Sequence, residues 1–196
     1  MKRFADCIIA IIGLIVFSPL LIVIAILIKI DSKGHVFYRQ VRVGRCNKDF
    51  KIFKFRTMIT ESDTKGLLTI GGKDVRITRV GYYLRKSKLD ELPQLINVIY
   101  GDMSFVGPRP EVRFYVNLYR EEQKKILKVR PGITDLASIE FRNENELLED
   151  QENPNQYYID VILPKKISIN IKYLENRNLI KDFLVVLKTF KVIVKD

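Results

Sequence analysis

Two adjacent carboxylates, Asp90 and Glu91, open the segment LDELPQLINVIYGDMSFVGPRPE (residues 89–111), which closes on Arg109 set between Pro108 and Pro110. These residue types permit phosphate chemistry. A carboxylate can attack phosphorus and form an acyl phosphate. Its neighbour can hold Mg²⁺, a hard cation that takes oxygen ligands and bridges diphosphate oxygens. A guanidinium offers a two-pronged fork that matches phosphate, and flanking prolines reduce the entropy lost when it is ordered. Arg85, five residues before Asp90, is a second cation of the same stretch. A structural reading stands beside this one. Pro93 is tolerated in the first turn of a helix and costs ~3 kcal/mol deeper in, so a helix is expected to begin near residues 89–91. Asp90 would then be an N-cap worth about 1 kcal/mol, and Glu91 a first-turn acid favoured by the helix dipole. Arg85, Lys86 and Lys88 would be a solvated basic run. Asp102 is read as a turn residue.

The elements that must position these residues follow from periodicity. Leu92, Leu95, Ile96 and Ile99 give the helix after Asp90 an apolar stripe. Residues 36–43 and 50–58 are rich in β-branched and aromatic residues and flank a turn, which predicts a hairpin. In its second strand Phe53 and Phe55 share one face, and Lys54 and Arg56 share the other. A glycine-bearing polar loop is expected at residues 61–74, without a phosphate-loop signature. Residues 78–86 read as a short helix interrupted at Gly81. Residues 114–129 read as one helix ended by Arg130-Pro131-Gly132. The acidic stretch 140–155 reads as a surface excursion. Residues 179–194 form an apolar face with Lys181, Lys188, Lys191 and Lys195 along it, a core helix or one lying at headgroup level.

Residues 7–28, CIIAIIGLIVFSPLLIVIAILI, carry no charge. At ~1.5 Å per residue this run is long enough for a ~30 Å hydrocarbon core. Ser18-Pro19 near its middle predicts a kink. Lys2 and Arg3 precede the run while Lys29, Lys33, Arg39 and Arg42 follow it, and the positive-inside rule places both flanks on the cytoplasmic side. A bent, re-entrant helix satisfies both facts, and an ordinary spanning helix kinked by proline remains open.

The 196 residues suffice for one domain with a core. Lys and Arg number 34 against 23 Asp and Glu, net +11, which favours anionic partners. Cys7 and Cys46 form no metal pattern and read as free thiols. His35 is the single histidine, which argues against His-based metal or triad chemistry. A membrane-tethered nucleic-acid binder would fit the charge, but no helix-turn-helix, RNP or zinc-finger signature accompanies it.

The Ser-Pro-broken apolar segment, VFYRQVRVG, FKIFKFRTM, LRKSKLDELPQLINVIYGDMSFVGPRP and VRPGIT together resemble the bacterial sugar transferase family, the small monotopic phosphoglycosyl transferases. The resemblance implies transfer of a sugar-1-phosphate from a UDP-sugar to a polyprenol phosphate, with Mg²⁺ as cofactor and UMP released. It implies Asp90 as nucleophile in a ping-pong scheme and Glu91 as the metal-holding acid. Lys54, Arg56, Arg85 and Arg109 would surround the phosphates. Ser18 and Pro19 would break a re-entrant helix. An inactive assembly paralogue is disfavoured by the intact acid pair. The expected architecture is a helix-rich mixed α/β (α+β) fold: residues 1–30 a re-entrant membrane helix, and residues 31–196 one cytoplasmic catalytic domain with a small hairpin and surface amphipathic helices. The expected location is the cytoplasmic face of the bacterial inner membrane, in contact with its lipid. No nucleic acid is expected, and homo-oligomerisation is left open. The chain lacks the multi-span N-terminal region of larger relatives and reads as a minimal catalytic form. Where many members continue RPGIT with Gly-Leu-Ala-Gln-Val-Asn-Gly-Arg, this chain reads DLASIEFR (residues 135–142), so the sugar does not follow from the resemblance.

Overall fold

Proline removes the backbone donor that would bond the carbonyl four residues back. At Pro19 that carbonyl belongs to Ile15, and the Ser18 hydroxyl donates to it at 2.7 Å instead. The computed structural model, which describes residues 2–59 and 74–194, accordingly carries one unbroken helix, α1 (Lys2–Asp31), through the Ser-Pro step. Among the described residues it is the one helix long and apolar enough to cross a membrane. Its two halves pack on the rest of the chain. Ala10 lies against Leu95 and Val98, and Ile24 and Ile28 lie against Phe55 and Leu84. Residues 15–20 are all exposed. Six consecutive positions exceed a helical turn of 3.6 residues, so the middle of α1 has no inward face.

Both ends of α1 are also tied by polar contacts. Arg3 donates to the carbonyls of Val98 and Ile99, and Lys2 pairs with Asp182 at 2.5 Å. At the other end Arg56 donates to the carbonyls of Ser32 at 2.7 Å and Lys33 at 2.9 Å. A cation there suits the negative end of a helix dipole.

The hairpin is present, with β1 (Phe37–Val43) antiparallel to β2 (Asp49–Phe55) and Lys54 opposite Tyr38. β2 stops three residues before the expected end. Chain then passes Met58, which bridges Ile77. The expected loop at residues 61–74 lies outside the described residues except for Asp74, as does Lys195. Next comes α2 (Arg79–Lys86), capped by Thr78 Oγ1 on the Gly81 N–H at 3.0 Å and by Asp31 Oδ2 on the Val80 N–H at 3.0 Å. Gly81 does not interrupt α2. A Cβ on it would stand 2.1 Å from the Thr57 carbonyl oxygen, so glycine lets the helix lie against the strand end.

The acid pair is on a tight 3₁₀ turn, Leu89–Glu91, rather than in the first turn of an α-helix; α3 (Gln94–Tyr100) starts after Pro93. β3 (Ser104–Val106) pairs in parallel with β4 (Gly132–Thr134). Their connection carries α4 (Arg113–Val116) and a 3₁₀ segment, Gln123–Lys128, where one long helix was expected. The Gln123 side chain accepts from the Arg120 N–H at 2.8 Å, restarting the chain between them.

The remainder is helical: α5 (Leu136–Glu140), α6 (Glu144–Glu149), α7 (Pro154–Tyr157), α8 (Leu163–Glu175) and α9 (Leu179–Val194). The acidic stretch 140–155 is thus no mere excursion, because its Leu148 is 1% exposed and packs with Tyr115, Tyr158 and Ile162 in the largest apolar cluster. α9 lies on β3 and α8 through Val185, beside Val106 and Tyr173. The architecture is a helix-rich mixed α/β fold with two small sheets among the described residues.

Candidate active site

Lys88, at the end of the basic run, holds a left-handed backbone (φ 56°, ψ 14°). A non-glycine residue there costs of order 1 kcal/mol or more and needs surrounding structure to hold it. The reversal directs Asp90 inward, where it is 7% exposed. Its neighbour Glu91 faces the hairpin. Lys54 Nζ donates to Glu91 Oε1 at 2.8 Å. Arg109 grips the same carboxylate with two nitrogens, NH1 to Oε2 at 3.2 Å and NH2 to Oε1. This is the two-pronged geometry guanidinium is built for.

Burial pushes the Glu91 carboxyl up, but Arg109 and then Lys54 pull harder and hold it well below the usual glutamate range. Asp90 goes the other way. Burial raises its carboxyl above the usual aspartate value, opposed chiefly by Lys54 and reinforced by Glu91. Asp90 Oδ1 is buried and has no hydrogen-bond partner. An unpartnered buried carboxylate oxygen is costly and retains its lone pairs for chemistry. Arg85 is lowered by burial and feels Asp90 as its strongest opposing charge, while its Nε is held by Thr57 Oγ1 at 3.0 Å. Lys54, too, is lowered by burial, against Glu91.

Asp90, Glu91, Lys54, Arg85 and Arg109 are therefore brought together. Arg56 is not: its guanidinium is engaged by the carbonyls at the end of α1 and by Ser32 Oγ at 3.0 Å. The alternation that grouped it with Lys54 does not apply, because β2 ends at Phe55. Ser18 and Pro19 lie on the exposed middle of α1. Asp102 is in the turn after α3, where Asn97 Nδ2 reaches it at 3.4 Å.

Two further residues build this site without direct contact with the acid pair. Asn97, wholly buried, accepts from the Phe53 N–H at 2.8 Å and donates to the Lys51 carbonyl at 2.9 Å, fixing β2, and with it Lys54, against α3. A polar residue interrupting the apolar run at residues 95–99 was its signal. Asp135, also wholly buried, accepts from the Arg109 N–H at 2.6 Å and caps α5 through the Ser138 N–H at 2.5 Å. Its signal was the chain's departure from the Gly-Leu-Ala-Gln pattern. Behind these contacts Gly107 and Gly132 touch backbone to backbone, and a Cβ on Gly132 would lie 2.1 Å from the Gly107 nitrogen.

Mg²⁺ is commonly held by one or two carboxylates with substrate phosphates completing its shell. Asp90 Oδ1, unpartnered, and Glu91 Oε2, which takes one hydrogen bond, match that donor set. Among the described residues no group of three or more His, Cys, Asp or Glu gathers; beside one or two carboxylates, substrate phosphate oxygens and water would complete such a shell.

Residues 1–196 match the family described as bacterial sugar transferase. The chain is 39% identical over 196 residues to a UDP-N-acetylgalactosamine-undecaprenyl-phosphate N-acetylgalactosaminephosphotransferase of Aeromonas hydrophila, covering 98% of this chain and 43% of that protein. It is 41% identical over 194 residues to a UDP-glucose:undecaprenyl-phosphate glucose-1-phosphate transferase of Klebsiella pneumoniae, covering 96% and 40%. An uncharacterized sugar transferase of Bacillus subtilis, EpsL, is 36% identical over 197 residues, covering 100% and 89%. The chain spans about two fifths of the first two relatives and most of the third. With the match running over its full length, this chain belongs to the bacterial sugar transferase family.

Proposed function

We propose that the chain is a phosphoglycosyl transferase that moves a sugar-1-phosphate from a UDP-sugar to a polyprenol phosphate, as the names of its relatives state for them. The observation that carries the reading is the buried Asp90 with an unpartnered oxygen beside a Glu91 clamped by Lys54 and Arg109. In the first step an Asp90 oxygen bonds to the β-phosphorus of the donor, the bond from that phosphorus to the bridging oxygen breaks, and UMP leaves with the electron pair. In the second step a phosphate oxygen of the polyprenol phosphate bonds to the same phosphorus and Asp90 leaves as a carboxylate. Arg109 and Lys54 can each transfer hydrogen bonds from Glu91 to phosphate oxygens, and Arg85 adds positive charge beside Asp90. Mg²⁺, held by Glu91 and phosphate oxygens with Asp90 adjacent, would neutralise the charge that builds on the departing UMP.

The packing of α1 supports a re-entrant arrangement. Both of its ends are fastened to the same folded unit, and its exposed, apolar middle stands away from it. Bent at Pro19 while remaining helical throughout, α1 would dip into one leaflet and return, leaving the acid pair on the cytoplasmic face of the inner membrane, where polyprenol phosphate is reached.

The test is the intact mass of purified protein after incubation with single UDP-sugars and Mg²⁺, without lipid acceptor. A gain of one phosphosugar that is absent in Asp90→Asn establishes the covalent step and names the sugar. An adduct that persists in Asp90→Asn removes the nucleophile assignment.

A further inference from the structure

A cavity of about 250 Å³ lies where the start of α1 meets the β3–β4 pair, lined by Lys2, Arg3, Asp6, Arg45, Ser104, Lys128, Val129, Arg130 and Arg177. It shares no residue with the acid pair and its cations. Six basic side chains face a single carboxylate, Asp6, which accepts from Ser104 Oγ at 2.6 Å and lies 3.5 Å from Lys2. Most of the positive charge is not neutralised. Arg3 bonds the carbonyls of Val98 and Ile99, Arg130 the Gly101 carbonyl at 2.7 Å, and Arg45 the Lys128 carbonyl at 3.3 Å. Carbonyls orient guanidinium groups without cancelling their charge. Arg177 and Lys2 share one further acid, Asp182.

Concentrating like charges around a cavity is unfavourable unless an anion occupies it, because a low-dielectric concave wall strengthens their repulsion. The arginines are fixed by those carbonyls, so little ordering is required when an anion arrives. The volume is below the 300–1,000 Å³ typical of drug-sized ligands and suits a phosphate-bearing group. We propose that this cavity is a second anion site of the protein, which takes a phosphate group, either the phosphodiester of an anionic lipid or a free phosphate or diphosphate. Its place at the beginning of the membrane helix gives a lipid headgroup access. A bound phosphate would link Arg3, Arg130 and Lys128, and so fasten the start of α1 to the chain before β4.

The experiment uses the full chain in neutral detergent and follows binding rather than turnover, so it does not depend on the proposed function. Native mass spectrometry counts retained phosphatidylglycerol against phosphatidylcholine, and thermal unfolding is followed with inorganic phosphate and pyrophosphate. The comparison is with Arg45→Gln/Lys128→Gln, whose side chains are exposed and carry no core packing, and with Arg45→Lys/Lys128→Arg, which keeps the charge. One retained phosphatidylglycerol, weakened about tenfold or more in the neutral pair and retained in the charge-preserving pair, supports a lipid site. The same pattern with phosphate or pyrophosphate alone supports a free-phosphate site. Equal retention of both lipids together with no response to either phosphate, or binding unaffected by the neutral pair, overturns the proposal.

Discussion

Asp90 and Glu91 are neighbours in sequence with opposite electrostatic fates, which gives them opposite effects on stability. Asp90 keeps its proton to a higher pH when folded than when unfolded, because burial raises it. Between the unfolded and the folded pKa the unfolded state binds fewer protons, so this residue's contribution falls as pH rises. Above the folded pKa the buried charge is a full burden. Glu91 is held well below 4.5 by Arg109 and Lys54 despite burial, so its contribution is present above the unfolded value and is lost as pH falls through the folded one. Asp90→Asn is therefore expected to raise the unfolding temperature at pH 7 while abolishing the phosphosugar adduct. Glu91→Gln is expected to lower stability by about 2 kcal/mol, because two cations lose their anion. Thermal unfolding in detergent checks the pair, and a loss in both would contradict the buried-charge account. The same field predicts a pH effect on chemistry. Asp90 attacks only when ionised, and Lys54 is the strongest influence favouring that state. Lys54→Met is expected to move the acid limb of adduct formation to higher pH, with Lys54→Arg restoring it in part. An unmoved limb would mean that another group titrates.

At the scale of elements, α1 owes its placement to the apolar packing of its two halves, to polar contacts at its ends and to one hydroxyl in its middle. Replacing Pro19 by alanine returns a backbone donor to the Ile15 carbonyl and favours a straight helix, which 30 residues make about 45 Å long. In a background with Cys7 and Cys46 replaced by serine, Phe4→Cys and Lys33→Cys report the two ends by labelling with a membrane-impermeant maleimide in inverted vesicles. Both are expected to label from the cytoplasmic side, with Phe4→Cys labelling reduced when Pro19→Ala is added. Labelling of the two ends from opposite sides in the parent chain would replace the re-entrant arrangement with a spanning one. The sequence pattern made several elements legible: α1 by its unbroken apolarity, the hairpin by alternation, and α9 by helical spacing. It misled where a local event reset the period. Alternation beyond Phe55 put Arg56 on the face of Lys54, and the resemblance put both around the phosphates, whereas the end of β2 turns Arg56 to α1. The spacing of apolar residues over 114–129 hid the restart at Gln123. In the site, the acid pair, Lys54, Arg85 and Arg109 could be named from residue type and resemblance. Asp135 could not, because its bond to the Arg109 N–H joins residues 26 apart, and the departure from the family pattern marks its position without naming that partner.

At the scale of the whole molecule, most of the exposed large apolar side chains among the described residues lie on two helices only partly covered by protein. The middle of α1 is one. The other is α9, where Ile180, Phe183 and Phe190 are more than 60% exposed while Val185 and Asp182 face inward. Lys181, Lys188 and Lys191 flank that apolar row, the composition of a helix that lies in the headgroup region. The two elements are linked, since Lys2 of α1 and Arg177 before α9 meet on Asp182, which sits below its ordinary range because those hydrogen bonds and that of Tyr173 outweigh burial. A membrane entered by α1 would therefore meet α9 at its surface. The chain contains no tryptophan, so single substitutions give unambiguous depth reporters. Phe17→Trp, in the exposed middle of α1, is expected to be quenched most by lipids brominated deep in the acyl chain. Phe183→Trp and Phe190→Trp are expected to emit to the blue of the exposed Tyr83→Trp and to be quenched most by bromines close to the headgroup. Water-like emission from both α9 reporters would place that face away from the bilayer, and the membrane contact would then rest on α1 alone.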